Sequence, residues 1–345
     1  MKFPNTDLIA SLAERISEVL NPLIPVGSKC ALLDFPNYGN VGDSAIWLGE
    51  KVFLKDRAAE LIYASDRSAY RKEKLARRLR GGIILIQGGG NLGDLWLPHQ
   101  HFRERIITDF PGAKIIQLPQ TIYFKEKDNL SRARDIFNGH PDLTLLVRDE
   151  SSLDIARNEF RAQSFLCPDM AFMLGALRRP GAPRHKIVWL SRADLESAAY
   201  EGSYSEREVY RTDWRRDPSS LVFRANNFIH RHAQRRTPLL GSFADPAAYA
   251  YDSLARQRLR RGCWTLGDGK VVVTDRLHGH VLSLLLGIPH VLLDNSYGKV
   301  KNFYRIWTRD CGLTTWADSL PEAFHAARSL VTASEKSMKF AGAGR

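Results

Sequence analysis

Three stretches of this sequence bring acids, bases and glycines together at spacings that suit chemistry on an anionic substrate. The segment Thr274 to His280 (TDRLHGH) joins an apolar run to an apolar helical pattern. If the extended backbone continues through it, Arg276 and His278 point to one face. A guanidinium grips phosphate or carboxylate through its fork, and an imidazole exchanges protons near neutral pH. The plain alternative is a helix-capping turn carrying surface charges.

The segment Asp34 to Ile46 (DFPNYGNVGDSAI) ends an apolar run with a glycine-rich turn. Gly39 and Gly42 let the backbone approach a ligand, with Asn40 beside them as a wall residue. Asp43 and Ser44 then open a helix whose free amides suit an anion. A simple turn with Asp43 capping the helix reads equally well. The segment Gly88 to Trp96 (GGGNLGDLW) strips side chains from another strand end, leaving Asn91 and Asp94 as its polar groups beside Gly89 and Gly90. Such strand ends are where open α/β sheets bind ligands. Lesser signals also follow apolar runs: Arg192, the RDESS run from Arg148, Asp169, and Lys299, which reads as an anion contact or a solvated lysine. Neither glycine segment has the spacing of a dinucleotide fingerprint. No His/Cys set or carboxylate cluster is spaced for a metal, so neither a metal nor a cofactor is expected.

The elements that must position these residues are short continuous apolar runs. They cover Lys29 to Asp34, Gly82 to Gln87, Lys114 to Leu118 with Pro119 ending it, Leu143 to Val147 and Ser164 to Cys167. Helical patterns separate them, including one from Asp43 to about Phe53, which predicts parallel sheets buried on both faces. Pro180, Gly181 and Pro183 form a linker, after which strands recur at Lys186 to Leu190, Val271 to Thr274 and His290 to Leu293. The expected fold is α/β, with two doubly wound Rossmann-like domains over residues 1–180 and 181–345 and a ligand cleft between them. A C-terminal helix is a candidate to return to the first domain. Residues 196–243 give no legible pattern.

The chain has 345 residues, enough for two cores, and its 44% hydrophobic and 26% charged content is that of a globular protein. Four well-separated cysteines, two of them in apolar runs, read as buried reduced thiols. Residues 1–20 carry Asp7, Glu14, Arg15 and Glu18 where a signal peptide needs an apolar stretch. Leu8, Leu12, Ile16 and Val19 instead predict an amphipathic docking helix. The expectation is a cytoplasmic protein, peripheral at most at the inner face of the membrane. The net charge of +12 favours anionic partners. Six bases against one acid in Arg71 to Arg80 read as a solvated helix face or a patch for anionic lipid. Nucleic acid is not expected, because no aromatic platform interleaves the bases.

Taken in order, NxGNxGDxAI, GGGNxGD, PQ, RDExS, PDxAF and DRLHG resemble the polysaccharide pyruvyl transferase family, over residues 30 to 305. The resemblance implies a fold like the two-domain GT-B glycosyltransferases. It implies transfer of the enolpyruvyl unit of phosphoenolpyruvate to a glycan or lipid-linked oligosaccharide as a ketal. It also implies a phosphoenolpyruvate-binding Arg276 and a catalytic His278, with Arg192 on the donor; Gly42 and Ser44 at the helix start and Lys299 after its strand are read from their own positions as further donor contacts. Asp43 or Asp94 would be the base, and Gln120 and Tyr123 would face the cleft. A GT-B enzyme using a nucleotide sugar, or a non-catalytic protein of exopolysaccharide synthesis, are the alternatives.

Overall fold

A computed structural model describes residues 5–200, 204, 207–214 and 246–342. These fall into two compact units. The first takes Leu12–Met173 and the described part of Asp217–Arg258; the second takes the described residues of Met1–Ser11, Leu174–Arg216 and Leu259–Arg345. The change of unit after Met173 comes a few residues before the Pro-Gly linker. Most of 196–243 lies outside the described residues.

Helix α1 (Thr6–Leu20) buries Ile9, Leu12, Ile16 and Leu20. Leu8 and Val19, expected in the buried stripe, sit at its half-buried flanks. The first unit then runs β1 (Lys29–Leu33), α2 (Val41–Asp56), β2 (Glu60–Ser65), α3 (Lys72–Leu79), β3 (Ile83–Ile86), β4 (Gly89–Gly93), α4 (Leu97–Asp109), β5 (Lys114–Tyr123), α5 (Lys127–Asn138), β6 (Leu143–Val147), α6 (Glu150–Glu159) and β7 (Gln163–Leu166). Its strands pair in parallel in the order β2-β1-β3-β5-β6-β7, with β4 also on β5. Ala31, Leu33, Ile84, Ile86, Ile115 and Leu145 face one core with Leu75, Phe102, Ile106 and Phe137 from the helices. The alternate residues Leu32, Leu85, Ile116 and Leu146 are equally buried on the other face, so these strands read as unbroken apolar runs. Helix α3 inserts Leu75 and Leu79 and turns Lys72 and Arg77 outward, with Lys74 and Arg78 half-buried.

Strand β5 does not stop at Pro119. It continues to Tyr123, and its register against β6 shifts between Gln117 and Gln120. β3 pairs with the first half of β5, whereas β4 pairs with the second. Proline has no N–H to give a ladder, so the interruption falls beside Pro119. Side chains tie the gap. The Gln117 Nε2 group lies 3.1 Å from the Ile86 carbonyl and 2.9 Å from that of Gln87, and Gln120 Nε2 donates to Gln87 O at 3.1 Å. The GGGNxG stretch is therefore a strand, and close packing accounts for two of its glycines. A Cβ on Gly88 would lie 2.7 Å from Pro119 O, and one on Gly93 would overlap Tyr123 O.

The second unit holds β8 (His185–Leu190), β9 (Val209–Thr212), part of α7 (Pro246–Gly267), β10 (Gly269–Thr274), α8 (Leu277–Leu285), β11 (His290–Leu292), α9 (Lys299–Trp307), β12 (Thr314–Trp316) and α10 (Leu320–Gly342). Its parallel sheet is ordered β12-β11-β10-β8-β9. The C-terminal helix α10 packs Ala323, Phe324, Ala327 and Val331 against Ile187, Trp189, Val271 and Val273 of this sheet. Both sheets share one winding: the second strand lies outside the first, and the third returns to its other side. That creates a switch point between β1 and β3 in one sheet, and between β8 and β10 in the other.

Candidate functional site

Polar residues gather at both switch points. In the first unit Leu33 pairs with Ile86, so Asp34 and Gln87 leave the sheet side by side. Asp34 holds a left-handed backbone (φ 69°), which costs an L residue about 1 kcal/mol. Its buried carboxylate receives His99 Nδ1 at 2.9 Å, from the first turn of α4, and Arg67 lies 3.9 Å away. Tyr38 packs edge-on over His99, with ring centroids 5.7 Å apart.

Asp43 lies in the first turn of α2 but does not cap it. Asn40 is the N-cap: its Oδ1 accepts the Gly42 N–H at 3.0 Å, and its Nδ2 donates to Asp43 Oδ2 at 2.7 Å. Tyr38 donates its hydroxyl to the same oxygen at 2.8 Å. Burial, then the Asp43 charge, pushes the Tyr38 phenol well above its usual range, so it stays a donor. Asp43 Oδ1 faces Gly89 (φ 141°), whose missing Cβ would stand 3.5 Å from it. Below the loop, Glu50 accepts the Gly88 N–H at 2.8 Å, and burial raises its pKa well above the carboxylate range.

Several residues expected on a ligand are spent on the fold. Gly42 gives its N–H to Asn40, and buried Ser44 donates to Asn40 O at 3.0 Å. Asn91 and Gln120 hold each other, with Gln120 Nε2 to Asn91 Oδ1 at 2.9 Å, and buried Arg103 donates to that oxygen at 2.8 Å. Asp94 accepts the N–H groups of Lys125 and Glu126 at 2.9 and 2.7 Å, just ahead of α5. Tyr123 ends β5, half-buried. Arg148 is a fully buried ion-pair partner of Asp169, and Asp149 caps α6 through the Ser152 N–H at 2.8 Å.

In the second unit Leu190 pairs with Thr274, so Arg192 and Arg276 leave their strands at equal height. Arg192 grips Asp194 with Nε at 2.8 Å and Nη2 at 3.1 Å, and reaches Glu196 at 3.0 Å. Arg276 Nη2 meets Asp213 at 2.5 Å and Asp194 at 3.5 Å. Lys299 is no solvated lysine. It is buried and donates to Glu196 Oε2 at 3.2 Å, as does the Tyr297 hydroxyl at 3.0 Å. Burial alone would raise the Glu196 pKa; Lys299 and Arg192 outweigh it and hold it at about 2.

The extended geometry stops at Arg276. That residue is the extended N-cap of α8, and His278 stands in the helix's first turn. Gly279 lets this turn sit on β10, since a Cβ there would overlap the Thr274 side chain. His278 keeps 8% of its surface exposed, while His280 is fully buried. His280 Nδ1 lies 2.7 Å from His290 Nε2, and its Nε2 lies 2.8 Å from Thr308 Oγ1. His290 Nδ1 faces the Ile288 carbonyl at 2.8 Å, so that nitrogen carries the proton and both rings are neutral donors and acceptors in one line. Of the motif's two histidines, only His278 keeps any exposed surface.

The polysaccharide pyruvyl transferase profile matches residues 40–297, from the Asn40 cap of α2 to beyond the Arg276–His278 turn. The chain belongs to this family. As a family member it is a transferase, and the family implies a polysaccharide acceptor. The putative pyruvyl transferase EpsO of Bacillus subtilis is 33% identical over 303 residues, covering 86% of this chain and 90% of the relative. Pyruvyl transferase 1 of Schizosaccharomyces pombe is 31% identical over 310 residues, covering 86% and 74%. A solved structure of an uncharacterized Klebsiella pneumoniae protein is alike in fold, with a TM-score of 0.54 at 21% identity, and covers 92% of this chain and 100% of that one.

Within this family member, the sequence pointed to Arg192, Arg276 and Lys299, and the structure joins them in one network. It missed the acids that link them, Asp194 and Glu196, and Asp213, which pairs with Arg276. It also missed His99, 65 positions from its partner Asp34. Asp34 was visible in the motif, but no local signal marks a histidine delivered by a separate helix. The first half of α7 was equally silent. Its Tyr251 stacks on Phe35 with centroids 4.1 Å apart, and Arg258 donates to Pro36 O at 2.7 Å, which steadies the Asp34 loop. Among the described residues no three His, Cys, Asp or Glu side chains converge as metal ligands, and no helix is long and apolar enough to cross a membrane.

Proposed function

We propose that this family member transfers the enolpyruvyl unit of phosphoenolpyruvate to two hydroxyls of a glycan, forming a pyruvate ketal and releasing phosphate. The observation that carries the reading is the shared grip of Arg192 and Arg276 on Asp194. Two guanidiniums near one carboxylate are spaced to clasp one small anion, and phosphoenolpyruvate offers both a carboxylate and a phosphate. Lys299, held by Glu196 in the same network, adds a third positive charge. In this reading the donor's anionic groups take the place of Asp194 and Glu196.

His278 protonates the methylene carbon, which makes an oxocarbenium-like centre. One sugar hydroxyl adds to the adjacent carbon, which bears the phosphate, and a second adds there as the bond to phosphate breaks. Of the two hydroxyl protons, one balances the new methyl group and the other leaves with phosphate. A group that gives and takes protons near neutrality suits this cycle. Asp43, with Oδ1 turned toward Gly89, is favoured over Asp94 as the acceptor-side base, because the Asp94 carboxylate is spent on main-chain N–H groups. The two units are, in this reading, the Rossmann-like halves of a GT-B-like enzyme. The acceptor is lipid-linked, and the outward bases of α3 meet an anionic bilayer. Flotation on anionic but not neutral liposomes is expected, and equal behaviour on both would remove that contact.

Phosphate release from phosphoenolpyruvate, assayed with a panel of lipid-linked oligosaccharides, tests the reaction. Release that depends on the glycan, with a pyruvate ketal in the product, is expected. Turnover of nucleotide sugars, with phosphoenolpyruvate inert, would put a glycosyltransferase in its place.

A further inference from the structure

A cavity of about 620 Å³ in the second unit is lined by Lys301, Tyr304, Arg305, Arg309, Trp316 and Asp318. Lys301, Tyr304 and Arg305 share one face of α9 at i, i+3 and i+4. Trp316 ends the edge strand β12, so the cavity lies at the opposite margin of the sheet from β9, not at the β8/β10 switch point. Tyr304 and Trp316 stack with ring centroids 5.6 Å apart and planes 22° from parallel. Lys301 lies over the Trp316 ring at 5.3 Å and 3.7 Å from Asp318, which also accepts the indole N–H at 2.8 Å. Arg305 and Arg309 are exposed and have no carboxylate partner among the described residues. Placement near the C-terminus of α9 gives Arg305 a favourable helix dipole, but it does not explain an aromatic pair beside it.

Three cations against one carboxylate leave the cavity two charges positive. The half-buried ring pair offers a flat apolar wall, and Asp318 offers acceptors for hydroxyls. That combination fits a ligand with an apolar face, several hydroxyls and an anionic group. We propose that the cavity is a second saccharide-binding subsite, specific for an acidic sugar of the glycan chain. The sugar ring lies on Trp316 and its carboxylate or phosphate meets Arg305 and Arg309. The glycan assignment rests on the function proposed above. Helix α9 supports it, because Lys299 at its start belongs to the Glu196 network while Arg305 stands six residues on, about 9 Å along the axis. One oligosaccharide is long enough to touch both. A pyruvate ketal is itself an acidic sugar, so a chain already modified once would be retained for the next transfer.

Ligand-observed NMR with methyl glucuronide, methyl glucoside, inorganic phosphate and uridine monophosphate tests binding in the full chain. Methyl glucuronide is expected to bind, with the neutral glucoside at least about tenfold weaker. Phosphate competing with it would show that the cations serve either anion, and phosphate failing to compete would restrict the site to carboxylates; either result leaves an acidic sugar as the ligand. Arg305→Ala with Arg309→Ala, both at exposed positions, and Trp316→Leu should each weaken glucuronide binding about tenfold, a change of about 1.4 kcal/mol. Phosphate release with a short neutral acceptor should be unchanged in these variants, while KM for a pyruvylated polymer rises. Glucuronide binding that ignores these substitutions, equal binding of the glucoside, or binding of uridine monophosphate alone would overturn the proposal. Absence of phosphate release with every acceptor in the unaltered enzyme would defeat the reaction instead, and the binding measurements would still decide the cavity.

Discussion

The main-chain N–H of Arg192 donates to the carboxylate of Asp275 at 2.9 Å, tying the ends of β8 and β10 together directly beneath the two arginines. Asp275 is buried, and that burial lifts its pKa to about 6 even though Arg276 and Arg192 both work to lower it. The separation of the two guanidiniums is thus set by the sheet and one cross-strand contact rather than by flexible loops.

Arg276→Ala should weaken phosphoenolpyruvate binding strongly, because a charge-assisted contact is lost and Asp213 is left without that partner. Arg276→Lys should restore only part of it, since lysine lacks the fork. His278→Ala should instead lower kcat by about 10² to 10⁴-fold with donor affinity nearly intact. Calorimetry with phosphoenolpyruvate and steady-state kinetics separate the two effects. A folded His278→Ala enzyme with normal turnover would end the acid/base assignment.

Asp43 and Asp94 should part company on substitution. Asp43→Asn keeps the shape of the turn and removes the charge, so turnover should fall by about 10²-fold or more with little change in Tm. Asp94→Ala loses acceptors for two N–H groups ahead of α5 and should cost about 1 kcal/mol of stability, with kcat little altered. Thermal melts alongside rates would show whether the two effects divide this way or the reverse.

Burial holds the His290 pKa down at about 4, and burial followed by the nearby His290 pushes His280 well below its ordinary value of 6.5. The unfolded chain binds these protons below about pH 6.5 and the folded chain does not, so both histidines cost stability as pH falls from there toward about pH 4. Asp275, with its raised pKa, works in the opposite sense over part of that range. The difference in stability between the unaltered protein and His290→Gln isolates the histidine contribution, and it should shift in favour of the variant on acidification. A pH-independent difference would show that the pair titrates normally.

Much of the fold was legible because buried parallel strands announce themselves. Leu143 to Val147 is apolar at every position but one, and the structure makes a strand of those same residues. Glu60–Ser65 was silent because its first residues are only partly covered, and Gly89–Gly93 because glycines carry no β signal. Pro119 misled, since a proline is compatible with a strand where the ladder is already interrupted. Within the candidate site the arginines were legible from motif and strand end together. The carboxylates facing them come from segments with no periodicity, and Gln120 and Ser44 gave no sign that their hydrogen bonds were already committed inward.

The break between β3 and β4 also bears on how this family member can change. A main-chain ladder is common to every sequence that adopts the fold, and no single substitution removes it. The ties that Gln117 and Gln120 make across the break are side chains, and each can be cut or lengthened separately. The height and stiffness of the Gly88–Gly90 segment beside Asp43 are therefore open to mutation at two side chains, at the cost of taking donors from the Ile86 and Gln87 carbonyls. Selection can retune the floor of one site while the sheet beneath stays the same.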